Sequence, residues 1–129
     1  MPSASTIVIA DSTPANRTYS PVQISPSFSM LLDKSTAQTA EGQAQVILGF
    51  SLGSAKRPTD RIVARHNFPI EREVDGVWTV VGTARFIGEW IVPTLMTPTE
   101  RNHFEALTDN LVGHAVTEGY IADRDPFYG

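Results

Sequence analysis

The stretch RIVARHNFP, residues 61–69, alternates strictly. In an extended strand Arg61, Val63, Arg65 and Asn67 project to one face, and Ile62, Ala64, His66 and Phe68 to the other. Guanidinium groups grip phosphates and stack on bases, and a carboxamide reads base edges. Two further runs carry the same pattern. In QVILGFSLG, residues 45–53, Gly49 and Ser51 lie with Ile47, against Val46, Leu48 and Phe50. In VWTVVGTARFIGEWIVP, residues 77–93, Arg85, Ile87 and Glu89 share a face, against Phe86, Gly88 and Trp90. Lys56 and Arg57 add charge in the loop before Arg61. One sheet face thus mixes cations, Ser and Asn hydrogen bonders, and the aliphatic side chains of Ile47, Val63 and Ile87. That mixture fits single-stranded or looped RNA, which binds by phosphate contacts and base stacking. A merely solvated sheet face is the plainer alternative.

Other chemistry finds less support. His103 and His114 lie on one side of a helix but about 16 Å apart, at about 1.5 Å of rise per residue, too far to share a metal. His66 falls on the core-side face of its strand, where a buried or interface role is expected. Glu71, Glu73 and Asp75 are alternating carboxylates in a charged segment, a solvated loop rather than a calcium site. No nucleophile motif, phosphate loop or zinc pattern is present, so no enzyme, cofactor or metal site is expected. The chain has no cysteine, which rules out disulfides and thiolate ligands. With 129 residues it has the length of a single domain. Its formal charge of −4 makes any anion-binding surface local rather than global. Neither a signal peptide nor a membrane anchor is expected at the N-terminus, so a soluble protein of the cytoplasm is the first expectation.

The elements that must position these groups are legible. STIVIA and YSPVQI, separated by the polar DSTPANRT, read as an N-terminal hairpin within residues 1–25. Pro21 points to an edge position in it, since proline has no N–H for a ladder. Strands around 28–33, 45–53, 61–69 and 78–92 follow, with PIEREVDG, residues 69–76, as a charged loop and Gly turn. The 78–92 run would span about 50 Å if straight, so it is bent or is two strands in series. The period then changes: Thr97 as N-cap, Pro98 at the first helical position and Glu100 at the third form a capping box. Phe104, Leu107, Leu111 and Ala115 follow at helical spacing, predicting a helix over 98–116. A short further turn of helix in the tail ends at Asp125–Pro126.

About five antiparallel strands make a sheet roughly 24 Å wide, whereas one helix covers about 10–12 Å. Phe50, Phe68, Trp78, Phe86 and Trp90 therefore need a second layer. A symmetric dimer supplies it, with two helices across one extended sheet and Phe104, Leu107, Leu111 and Trp90 at the interface.

In this order of elements, in IVPTLMTPTE (residues 91–100), in KRPTDRIVARHNFP (residues 56–69) and in the tail DPFYG, the sequence resembles the coat proteins of single-stranded RNA bacteriophages, the leviviruses. The resemblance implies one α+β domain over 1–129: an N-terminal β-hairpin (1–25), a five-stranded antiparallel sheet (26–94) and a helical C-terminal region (97–129) whose helix packs across a dimer. It further implies dimers that assemble into an icosahedral shell, usually T=3, with the bare sheet face turned to the genome. In such a virion, made in the bacterial cytoplasm, that face also binds an RNA hairpin that represses translation. Residue by residue, Ser51 falls at the family's hydrogen-bonding Ser and Arg65 at a common Lys, while Asn67 and Glu89 hold polar positions. Gly49 and Val63 stand where hydroxyl-bearing residues line the pocket, Arg85 replaces a stacking Tyr, and Ile87 replaces a polar contact. A small dimeric RNA-binding regulator that forms no shell, and a plain structural β-domain, are the competing expectations.

Overall fold

The computed structural model describes residues 6–11, 16–25 and 27–124. Among the described residues six strands lie side by side in chain order: β1 Ile7–Ala10, β2 Asn16–Ile24, β3 Phe28–Asp33, β4 Ala44–Ser51, β5 Thr59–Val74 and β6 Val77–Pro93. The registered pairs from β1 to β5 are all antiparallel. Two helices follow, α1 Pro98–Val112 and α2 Ala115–Asp123. The chain divides into two compact units, Met1–Ile91 and Val92–Gly129. The fold is the expected α+β arrangement of a hairpin, an antiparallel sheet and a helical C-terminal region, but the strand count is corrected: four strands rather than five lie within 26–94, and the hairpin strands β1 and β2 extend the same sheet to six. The turn of the first hairpin and the Asp125–Pro126 stop lie outside the described residues.

Register decides which side chains are buried. Leu31 pairs with Val46, and Val46 with His66, so these three share one face. One residue along, Met30 pairs with Ile47 and Ile47 with Arg65, on the opposite face. The first face holds the core of the sheet, Tyr19, Leu31, Ala44 and Val46, with Ile7 and Leu48 packed against it. The alternation read from residues 61–69 is the alternation observed.

Polar groups tie the hairpin to this core. The Tyr19 hydroxyl lies 2.9 Å from Nε2 of His66, with the rings edge to face. Arg17 stands over the Phe68 ring at 5.5 Å. Strands β2 and β5 are three places apart, about 14 Å in a flat sheet, so the sheet must curl to bring these partners together. Burial, and then the nearby Arg17, push the His66 pKa below its ordinary value. Asp33 is fully buried. Its carboxylate accepts from Ser35 N at 3.1 Å, Ser35 Oγ at 2.8 Å and Thr36 Oγ1 at 2.6 Å, with Arg17 at 4.0 Å.

Pro21 stands at a local edge, as expected: among the described residues β1 pairs only with 16–19, so β2 has β3 alone beside it at Pro21, and that ladder shifts register between Pro21 and Gln23. Two further expectations are corrected. Residues 69–76 are not a loop: β5 runs to Val74, β6 starts at Val77, and only Asp75 and Gly76 turn. Both have positive φ, 51° and 79°, as a two-residue hairpin turn of the mirror-image type requires. Glu71 is part of that strand, and its carboxylate accepts from Gln38 N at 3.0 Å and Thr39 Oγ1 at 2.8 Å, fastening the β3–β4 loop. These bonds, that from Gln38 foremost, hold the Glu71 pKa below the usual carboxylate value. Gly42 leaves room for it, since a Cβ there would run into the Glu71 side chain. Finally, the 98–116 helix stops at Val112 and restarts at Ala115. The 78–92 run is one continuous strand within β6.

The capping box is present: Glu100 N donates to Thr97 Oγ1 at 3.2 Å, and Thr97 N to Glu100 Oε1 at 3.0 Å. Thr97→Ala removes one half of it. The expected loss is about 1 kcal/mol, checked by urea unfolding; an unchanged midpoint would show that the cap does not matter here.

Candidate nucleic-acid interface

Strand pairing builds the face opposite the core. Across β4 and β5, Gln45 lies beside Asn67, Ile47 beside Arg65, Gly49 beside Val63, and Ser51 beside Arg61. Strand β6 joins them through an ion pair: Arg61 Nε lies 2.9 Å from Glu89 Oε1, and Arg61 Nη2 lies 3.2 Å from Glu89 Oε2. Glu89 therefore shares the face of Arg61, and period two places Arg85 and Ile87 there with it. Phe86 and Trp90 both flank Gly88 on the other side.

The loop after β4 presents the remaining cations. Ser54 and Arg57 exchange backbone hydrogen bonds of 2.7 and 3.1 Å, closing a tight turn that exposes Lys56. Asp60 Oδ1 accepts from Gly53 N at 2.7 Å and anchors its base. Arg57 then reaches back, its Nη2 donating to Ser51 Oγ at 2.6 Å. Arg57, Thr59, Arg61, Glu89 and Ile91 line an open hollow of about 340 Å³.

The cations are thus not equivalent. Arg57 is held by a hydroxyl and Arg61 by a carboxylate, while Arg65 and Arg85 have no ion-pair partner among the described residues. Both are exposed. Asn67 donates from Nδ2 to Gln45 Oε1 at 3.3 Å, and its buried Oδ1 has no partner. Such a face can hold phosphates on its free guanidiniums and bases on its flat aliphatic strip of Val63, Ile47 and Ile87.

All the residues expected on this face from the alternation, namely Gly49, Ser51, Arg61, Val63, Arg65, Asn67, Arg85, Ile87 and Glu89, fall on it, with Lys56 and Arg57 at its margin. The sequence reading missed Gln45 and Thr59. Gln45 carried a usable signal, since it precedes Ile47 by two residues in the same alternating run. The second proposed set differs. Trp90 is half-buried, but Phe104, Leu107 and Leu111 are 38, 71 and 65% exposed, and no residue of α1 is buried. Among the described residues no cluster of metal-ligating side chains occurs, and no helix is long and apolar enough to cross a membrane.

No family model and no curated protein sequence matches the chain. Solved structures do. The virus-like particle of Beihai levi-like virus 21 superposes with a TM-score of 0.88 at 26% identity, covering 99% of this chain and 100% of that one. That of bacteriophage NT-214 gives 0.80 at 23% identity, over 95 and 97% of the two chains. The capsid protein of bacteriophage GA gives 0.75 at 16% identity, over 97 and 98%.

Proposed function

We infer that this chain, built on the fold of the RNA bacteriophage (levivirus) coat proteins, is itself a coat protein whose copies assemble into the shell of a virion. The observation that carries this reading is the end-to-end superposition on a chain of a virus-like particle, with neither protein left over. The structures it resembles are coat proteins and particles rather than enzymes.

The finer reading is a dimer as building block. Trp78 and Phe86, on the core-side face of β6, stay exposed in the single chain, as do the apolar residues of α1. A monomer rarely leaves so much large apolar surface in water. A second copy, with its helix over the partner's sheet, removes that surface symmetrically. Dimers of this kind would build an icosahedral shell, T=3 in the usual form, around single-stranded genomic RNA. The face of Arg65 and Arg85 would then turn inward, binding the genome and, as repressor, an operator hairpin. Synthesis would take place in the bacterial host's cytoplasm.

Electron microscopy of the purified protein tests the main reading: closed shells are expected. Small dimers that never close would favour a regulator instead. For the inward face, Arg65→Ala should weaken RNA binding several-fold and flatten its salt dependence by about one phosphate contact. Its thermal stability should be almost unchanged, within about 0.5 kcal/mol, because the residue is exposed. If Arg65→Ala and Arg85→Ala both bind and package RNA like the parent, the face is only solvated surface.

A further inference from the structure

On the core-side face, away from the basic surface, one polar contact pins the N-terminal hairpin across the sheet. Tyr19, 2% exposed, sets its hydroxyl 2.9 Å from Nε2 of the half-buried His66. Strands β3 and β4 lie between the partners, so the bond closes the curl of the sheet rather than extending a ladder. The hydroxyl has no second partner among the described residues. A neutral imidazole with its proton on Nδ1 offers Nε2 as acceptor for the phenol O–H. An imidazolium carries protons on both nitrogens and can only donate. The Tyr19 oxygen would then have to accept, and its own O–H would be left orphaned in a buried place, at a cost.

The surroundings offer the new charge no compensation. Strand β2 brings Arg17, a cation, over the Phe68 ring that flanks His66. Strand β3 brings Asp33, but Ser35, Thr36 and Arg17 already occupy its carboxylate. Asp11, following β1, is paired with Arg17 at 3.3 Å. Strand β4 sets Val46 beside His66, and β6 gives this side the apolar Phe86 and Trp90. Desolvation, and then the like charge of Arg17, both favour the neutral ring.

We propose that His66 is a pH-sensitive latch on the N-terminal hairpin: neutral, it pins Tyr19 and closes the curl; protonated, it lets β1 and β2 loosen while β4 and β5 stay paired. A histidine held neutral by the fold stabilises fully above its unfolded pKa, about 6.5. That stability is lost as pH falls from there through the lowered folded value. The window lies above the range of about 4 in which carboxylates protonate, so the latch is separable from acid effects on Asp33.

Backbone hydrogen exchange of the full chain at about pH 7.5 and about pH 5.5, corrected for intrinsic exchange, tests this. Protection of β1 and β2 should fall several-fold in acid, with about tenfold as the ceiling one pH unit below 6.5, while that of β4 and β5 holds. His66→Gln keeps an acceptor for the Tyr19 hydroxyl and cannot titrate, so its hairpin should be equally protected at both pH values. In the parent, the NMR signal of the His66 ring should shift with the same midpoint as the hairpin's loss. That coincidence decides the matter should the variant fold poorly. Equal protection of the parent hairpin at both pH values overturns the latch. So does a step that survives His66→Gln, one whose midpoint differs from that of the ring, or one that appears in every strand at once.

Discussion

Phe104→Ala is expected to abolish the proposed dimer. Phe104, Leu107 and Leu111 follow at helical spacing, three and then four residues apart, so they share one stripe of α1. That stripe is uncovered in the single chain, where α1 buries none of its residues. Truncating a large aromatic in a packed interior costs about 3–5 kcal/mol. A dimer contains the substitution twice. Since about 1.4 kcal/mol is tenfold in an equilibrium constant, dissociation should rise by several orders of magnitude. Sedimentation at micromolar protein should show the parent as a dimer or shell, and the variant as dissociated or aggregated chains. A parent chain that is a folded, stable monomer at the same concentration would remove the basis for this expectation.

The second large effect lies in the core. Asp33→Ala removes the acceptor shared by Ser35, Thr36 and Arg17. Breaking a buried charged network by deleting one member costs about 3 kcal/mol or more. The same carboxylate gives the fold an acid limit. Burial by itself would raise its pKa, but the hydrogen bonds from Thr36 and Ser35, with the Arg17 charge, outweigh burial and hold it below the ordinary value. A carboxylate with a lowered folded pKa stabilises fully above its unfolded pKa, about 3.9. That stability is lost as pH falls through the lowered folded value. Denaturant unfolding should therefore show a constant gap between parent and Asp33→Ala from neutral pH down to about 4, narrowing below it. A gap that is unchanged at strongly acidic pH would show that Asp33 contributes by packing alone.

What the sequence disclosed depended on how local the cause was. The face assignment of Arg65 and Asn67 needed only period two, and the start of α1 only four residues, Thr97 to Glu100. The 69–76 segment misled because Glu71, Arg72 and Glu73 carry charge on both faces, which erases the alternation of a strand. The real turn signal was Asp75–Gly76 alone. Gly113 ended α1 early as its C-cap, since glycine loses more backbone freedom than any other residue when held in a helix. The pairs that give the site its character were beyond reach. Arg61 and Glu89 are 28 residues apart, and Tyr19 and His66 are 47 apart. Only the curl and register of the sheet bring them together. The exposed stripe of α1 was legible as apolar from its helical spacing alone.

The strictly sequential order of the six strands has a bearing on how the molecule is made. Each strand pairs with the one synthesised just before it, so contacts are short in sequence and loop closure is cheap. Hairpins form in about 1–10 μs, far faster than a ribosome adds residues, about 5–20 per second. The sheet can thus be laid down as the chain emerges, with no strand waiting for a distant partner. In the assembly proposed above, meeting another copy would then be the slow, concentration-dependent step, and the timing of particle formation would pass from folding to the number of chains present.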